Sequence, residues 1–236
     1  MAYTFDGRIR YSETGPDKKL TLMSLVDYFQ DCSTFHSEDS GLGLDYLRQT
    51  DRAWMIVFWQ IDIERLPSLC ENVTTGTSAY EFKGFYGLRN FDMKDASGAY
   101  LAKANSVWVL MDMNSQKPCA VDRQEMAAYG PLSEKLDMEY LPRKIRRPSD
   151  YEQMPSFPVG MHHLDTNQHV NNGQYIGMAE EYLPKGFPIR RFCVEYCRQA
   201  HLHDEIFPRV TRTDHEVTVM LCGADEKPYA IVKFEA

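Results

Sequence analysis

His163-Leu164-Asp165-Thr166-Asn167-Gln168-His169-Val170-Asn171-Asn172-Gly173-Gln174-Tyr175 is the densest run of chemistry-bearing polar side chains in the sequence. It falls between a strand end expected over 160–164 and a helix expected over 172–182. Asp165, Asn167 and His169 alternate. In an extended stretch they would present a carboxylate, an amide and an imidazole on one side and turn Thr166, Gln168 and Val170 away. Asn171 or Asn172 suits the N-cap of the following helix, whose first-turn N–H groups would be ready to stabilise an oxyanion. Taken singly, these are ordinary turn and cap residues. Three different functional groups on one alternating face beside a helix start exceed what a turn requires.

Outward from this run the chain repeats itself. Downstream, β-branched and aromatic stretches at 190–199, 205–213, 216–222 and 229–234 read as strands. Upstream, a strand over 4–12 and a turn at Gly15-Pro16-Asp17 lead into a helix over 19–36, where Leu22, Leu25, Val26, Phe29, Cys32 and Phe35 recur at intervals of three and four. Strands at 54–64, 73–82, 86–91 and 100–111 follow, punctuated by Pro67, Gly84 and Asp95-Ala96-Ser97-Gly98. Each half thus reads strand, helix, then strands. Tyr11-Ser12-Glu13-Thr14 sets beside His163-Leu164-Asp165-Thr166 at an offset of about 150 residues. A single helix covers only one face of four or five strands, so each half is expected to be a curved antiparallel sheet wrapped around a long central helix. The expected class is α+β, two tandem hotdog repeats. The first occupies 1–125 and the second 151–236, joined by a linker over 126–150 that carries Gly130-Pro131, Pro142, Pro148 and some helix.

Composition narrows the function. With 43% hydrophobic and 25% charged residues the chain can build a core, which excludes a largely disordered protein. No apolar run approaches the roughly 20 residues that cross a bilayer, and MAYTFDGRIR lacks the apolar stretch of a signal peptide, so a cytoplasmic protein without a membrane role is expected. A formal charge of −8 argues against nucleic-acid binding. Cys32, Cys70, Cys119, Cys193, Cys197 and Cys222 are scattered and expected to be reduced. His162-His163 and His201-Leu202-His203 lack a carboxylate or cysteine at a recurring ligand spacing, so no metal is expected; nor is a cofactor, since no Gly-rich phosphate loop is present.

The polar run resembles the acyl-acyl carrier protein thioesterases of plants and bacteria, whose second repeat carries D-x-N-x-H-V-N-N-x-x-Y. Asp165, Asn167, His169, Val170, Asn171, Asn172 and Tyr175 match it in full. The resemblance covers nearly the whole chain, and implies hydrolysis of the thioester between a fatty acyl chain and the phosphopantetheine arm of acyl carrier protein. It implies a catalytic network of Asp165, Asn167 and His169, and substrate contacts from Asn171, Asn172 and Tyr175. In the first repeat, Leu25 and Phe29 would stand on the helix that lines the acyl pocket. The family form also places a Glu on the strand after the catalytic helix, within [L/V]-E-Y-x-R-E-C.

Here that strand reads Val194-Glu195-Tyr196-Cys197-Arg198-Gln199-Ala200, so Gln199 replaces the Glu and Ala200 the Cys. An amide can hold a water but cannot take its proton. Glu195, about 13 Å away along an extended strand, is too far to substitute. A water nucleophile activated by Asp165 and His169, with Gln199 positioning it, is the expected mechanism. The basic island Arg143-Lys144-Ile145-Arg146-Arg147 reads either as a solvated linker or as a landing surface for the acidic carrier protein through Arg143, Lys144, Arg146 and Arg147. Competing readings are an acyl-CoA thioesterase of the hotdog group and, because of Gln199, a catalytically weak acyl-carrier-binding module; a hotdog dehydratase is more remote. Monomer and homodimer are equally compatible with two repeats in one chain.

Overall fold

A computed structural model describes residues 2–236. The chain divides into two compact units, one running to Tyr140 without Phe58–Gln60, the other formed by Phe58–Gln60 with Leu141–Ala236.

In the first unit, β1 (Tyr3–Arg8) leads through a 3₁₀ turn at Tyr11–Glu13 to α1 (Leu22–Asp39) and the short α2 (Leu44–Gln49). Then come β2 (Arg52–Ile63), β3 (Asn72–Lys83), β4 (Tyr86–Asp95), β5 (Tyr100–Asp112), the two-residue β6 (Lys117–Pro118) and α3 (Arg123–Ala128). The sheet order is β1-β3-β4-β5-β2, with β1 antiparallel to β3, β3 to β4 and β4 to β5. Thr21 starts α1: its Oγ1 accepts the Ser24 N–H at 3.1 Å. From there Leu22, Leu25, Val26, Phe29 and Cys32 turn one stripe onto the sheet, and the Phe29 ring meets Phe91 of β4 at 5.5 Å. Leu25 and Phe29 are fully buried, each burial contributing about 1.5–3 kcal/mol. The helix starts at Leu22 rather than 19, because the Gly15–Thr21 turn precedes its cap, and runs to Asp39 rather than 36.

In the second unit, β7 (Glu152–Gln153) and β8 (Phe157–Pro158) precede a 3₁₀ turn at Met161–His163 and α4 (Asn172–Glu180). β9 (Arg191–Tyr196), β10 (Glu205–Arg212), β11 (Glu216–Cys222) and β12 (Pro228–Glu235) complete it, in the order β9-β12-β11-β10-β7. Ile206, Pro208 and Val210 alternate inward along β10, the period of a strand buried on one face. The core gathers Phe192, Val194, Val219, Val232 and Phe234, which share one face of the sheet, with Tyr175, Ile176 and Ala179 of α4. α4 has 9 residues against the 18 of α1.

Three expectations change. Residues 160–164 are not a strand end: Met161–His163 is a 3₁₀ turn. β9 stops at Tyr196, leaving Gln199 beyond it in irregular backbone. The repeat also registers differently, since the 3₁₀ turn Tyr11–Glu13 has its counterpart in Met161–His163 and the left-handed Lys18 (φ 63°) in Gln168 (φ 63°), an offset of 150. Asp165 therefore corresponds to Gly15, not Glu13. The same small bridge closes both turns, Thr14 to Leu20 and Leu164 to Val170.

Candidate functional site

The run from Asp165 to Val170 is a closed turn rather than an extended stretch. Asp165 N–H donates to the His169 carbonyl at 2.8 Å, and Gln168 N–H to the Asp165 carbonyl at 3.1 Å. Asp165 Oδ1 accepts the Asn167 N–H at 2.8 Å and the His169 N–H at 3.4 Å. The carboxylate thus holds the loop that carries the amide and imidazole; period-two alternation is not what groups these three residues. In the first repeat the same backbone bonds recur, Gly15 N–H to the Lys19 carbonyl at 2.9 Å and Lys18 N–H to the Gly15 carbonyl at 2.9 Å, so the turn itself is shared while Asp165, Asn167 and His169 belong only to the second. Asn167 is exposed and His169 half-buried.

Asn171 is the N-cap of α4: its Oδ1 accepts the Gly173 N–H at 2.7 Å and its carbonyl the Gln174 N–H at 3.0 Å. Two of the first-turn donors that the sequence reading reserves for an oxyanion are therefore occupied. Tyr175 is buried, and its hydroxyl accepts the N–H of the fully buried Ala200 at 3.0 Å. The Asn172 carbonyl accepts the Tyr196 hydroxyl at 3.0 Å, and the Tyr175 and Tyr196 rings meet edge to face at 6.0 Å. Val170 N–H donates to the Ala200 carbonyl at 3.0 Å. The catalytic-loop candidates are thereby tied to the segment that follows β9.

That segment brings His201, whose spacing to His203 suggests only a metal ligand, up against His169. The His201 ring lies edge to face with His169 at 4.8 Å. Its backbone N–H donates to Asp204 Oδ2 at 2.9 Å, and its Nδ1 stands 3.9 Å from the same oxygen. Tyr229 donates its hydroxyl to Asp204 Oδ2 at 3.0 Å, under the Arg198 guanidinium, which lies 4.1 Å from the ring centroid and is paired with Asp225. Burial first, and the neighbouring His201 second, push the His169 pKa below the ordinary 6.5, while Asp165 pulls it up. His169 is therefore biased toward the neutral, proton-accepting imidazole. The signal in the sequence was the short distance from the Gln199 departure to His201-Leu202-His203-Asp204.

Gln199 is exposed. Glu195 is buried, with Oε1 2.5 Å from Lys144 Nζ and Oε2 accepting the Ile145 N–H at 2.9 Å. The basic island is thereby pinned at its centre: Lys144 is committed to Glu195 and Ile145 is buried, while Arg143, Arg146 and Arg147 are exposed. Leu141, Pro142, Lys144, Ile145, Arg146 and Lys233 help line a hollow of about 400 Å³ there. His163 is structural: its Nδ1 accepts the Gly160 N–H at 3.0 Å, as Glu13 accepts that of Arg10 at 2.8 Å. Among the described residues no group of three or more His, Cys, Asp or Glu could hold a metal ion, and no helix is long and apolar enough to cross a membrane.

Comparison with known proteins agrees with this architecture. The chain is 28% identical over 225 residues to an acyl-[acyl-carrier-protein] hydrolase of Cuphea viscosissima, covering 87% of this chain and 53% of that one. An oleoyl-acyl carrier protein thioesterase of Arabidopsis thaliana is 24% identical over 240 residues, covering 92% of this chain and 65% of that one. The chain spans about half the length of the Cuphea relatives it matches. In three dimensions it resembles an acyl-ACP thioesterase from Bacteroides thetaiotaomicron, with a TM-score of 0.91, 22% identity and coverage of 99% and 97% of the two chains. It also resembles the 12:0-ACP thioesterase of Umbellularia californica, with a TM-score of 0.82, 19% identity and coverage of 99% and 96%. These likenesses establish the double hotdog fold. The acyl-ACP thioesterase N-terminal domain matches residues 2–129 and the C-terminal domain residues 146–218, and on that ground the chain belongs to the acyl-ACP thioesterase family.

Proposed function

We propose that this protein hydrolyses the thioester of a fatty acyl-acyl carrier protein and releases the free fatty acid. The observation that carries this reading is the complete Asp165-to-Tyr175 signature, folded as a closed turn that presents a half-buried imidazole biased toward its neutral form. A thioester carbonyl is already electrophilic and a thiolate leaves readily, so the chemistry asks for one base and one set of oxyanion donors. These contribute about 10²–10⁴-fold and 10²–10³-fold in rate. His169 takes a proton from water as the water attacks the carbonyl carbon. The C–S bond breaks, and the imidazolium returns the proton to the departing sulfur. The Asp165 carboxylate holds the loop and its charge favours the imidazolium as it forms. The exposed Asn167 amide is the donor assigned to the oxyanion, and Gln199 holds the water.

Leu25 and Phe29, on the buried face of α1, are assigned to the wall that limits the acyl chain. The acidic carrier protein docks on Arg143, Arg146 and Arg147. Lys144 contributes mainly by fixing the strip to Glu195. Gln199 supports one other reading, a carrier-binding module with little turnover, because an amide takes no proton. Release of fatty acid from carrier-protein thioesters of graded chain length, run beside the same acyl groups on CoA, separates the readings. Turnover faster on carrier protein supports the proposal. Faster turnover on CoA points to the wider hotdog thioesterases. Binding without release leaves the module.

A further inference from the structure

Two turns in this chain are built alike, and their difference exposes a residue with no structural task. In the first repeat Ser68 N–H donates to Glu71 Oε2 at 2.9 Å, Glu71 N–H to the Ser68 carbonyl at 3.0 Å, and Cys70 sits at φ 68°. In the second, His201 N–H donates to Asp204 Oδ2 at 2.9 Å, Asp204 N–H to the His201 carbonyl at 3.0 Å, and His203 sits at φ 70°. Each turn also pairs with the strand entry before its helix: Ile9 N–H donates to the Glu71 carbonyl at 2.9 Å, and Val159 N–H to the Asp204 carbonyl at 2.8 Å. The backbone and the acid close both turns. A serine is sufficient at the first position of one, so the imidazole at that position of the other is not required for folding.

The placement of that imidazole is specific. Its ring meets His169 edge on, with an interplanar angle of 79° and centroids 4.8 Å apart. On its other side the Asp204 carboxylate is fixed by the Tyr229 hydroxyl and the His201 N–H, leaving the same oxygen 3.9 Å from Nδ1. Tyr229 in turn is clamped by Arg198, which is held by Asp225 and the Lys227 carbonyl. A chain of contacts thus runs from a strand-end ion pair to the edge of the candidate base.

We propose that His201, whose backbone is held by Asp204, is a positioning residue for His169, its ring edge-on to that imidazole and fixing its plane so that it meets the substrate water as a base. This deepens the hydrolase reading and rests on it. It also makes His169 the base of the proposed hydrolysis where Gln199 can take no proton. Two ionisable groups face His169, Asp165 from its own turn and His201 from the turn after β9, with Asp204 behind His201. Asp165 favours the protonated ring, whereas burial and His201 oppose it.

The test compares His201→Ala and His201→Phe with wild type, by pH-resolved hydrolysis of acyl carrier protein thioesters and by NMR titration of the His169 ring protons in the intact chain. For His201→Ala, kcat should fall about tenfold with KM within about twofold, the signature of a misplaced catalytic group. The acid limb of the profile and the His169 titration should both move to higher pH. His201→Phe keeps an edge-on ring and should recover most of the lost kcat. Wild-type kcat and an unmoved His169 titration in His201→Ala would overturn the proposal. So would a loss of kcat that His201→Phe does not reduce. The NMR titration needs no substrate, so a wild type that hydrolyses nothing refutes the hydrolase reading while the coupling of the two rings is still read directly.

Discussion

Tyr175 shows how one hydroxyl can serve a site it does not enter. By accepting the Ala200 N–H it ties α4 to the segment carrying His201, in a place closed to solvent. Tyr175→Phe should therefore leave a buried amide unpaired and cost about 1–3 kcal/mol, read as a lower urea midpoint at unchanged slope. Glu195 is a comparable case. Glu195→Ala removes the acceptor of the Ile145 N–H and should cost about 1–3 kcal/mol, whereas Lys144→Ala, at an exposed ammonium, should cost under about 1 kcal/mol. At His169 the sign of the pH effect follows from the folded state favouring the neutral ring. A rate that needs the neutral imidazole should persist below the ordinary histidine value of 6.5 and fail only as pH drops through the lowered one. An acid limb of kcat/KM centred above 6.5 would contradict this assignment.

Helix α1 carries two titrating groups of opposite effect. His36 is stacked with Tyr3, meets Tyr129 edge on and has Arg89 Nη2 2.5 Å from its Nδ1; burial and then Arg89 push it down to about 4. The fold holds it neutral, so its contribution to stability is full above about 6.5 and is lost as pH falls through about 4. Asp27 runs the other way. Burial, then Asp31 and Glu13, lift its carboxyl to about 6, so at neutral pH the fold carries a partly desolvated carboxylate. Asp27→Asn should raise the melting temperature at neutral pH by about 2–4 °C, an advantage that shrinks as the solution is acidified and Asp27 itself protonates. At the strip after the first unit, Arg146→Glu with Arg147→Glu should raise KM for carrier-protein thioesters several-fold and leave short synthetic thioesters unchanged. Equal effects on both substrates would contradict docking there.

At the scale of the whole chain, the duplication was legible because helices and strands leave their periods in the sequence. The stripe Leu22, Leu25, Val26, Phe29, Cys32 announced α1, and β11 ran where its apolar stretch placed it. The offset between repeats was legible only approximately. Its register is fixed by backbone conformation, the left-handed Lys18 and Gln168, and neither residue type declares a positive φ as a glycine would. The Asp165–His169 run was visible as chemistry but not as geometry, since alternation and a tight turn bring the same three residues together by different means. His201 is only faintly legible because its meaning lies in a contact between two loops, one before α4 and one after β9, and the sequence shows no more of it than the nearness of His201 to Gln199.

The duplication also supplies the most direct test of the central claim, that thioester hydrolysis resides in the second repeat's turn. His169 and Lys19 occupy equivalent positions at the offset of 150 that relates Gln168 to Lys18, each following the left-handed residue of its turn. The measurement is steady-state release of fatty acid from saturating acyl carrier protein thioester by wild type, His169→Ala and Lys19→Ala. The account predicts a loss of about a hundredfold or more for His169→Ala and wild-type turnover, within about twofold, for Lys19→Ala. Undiminished release by His169→Ala would contradict it.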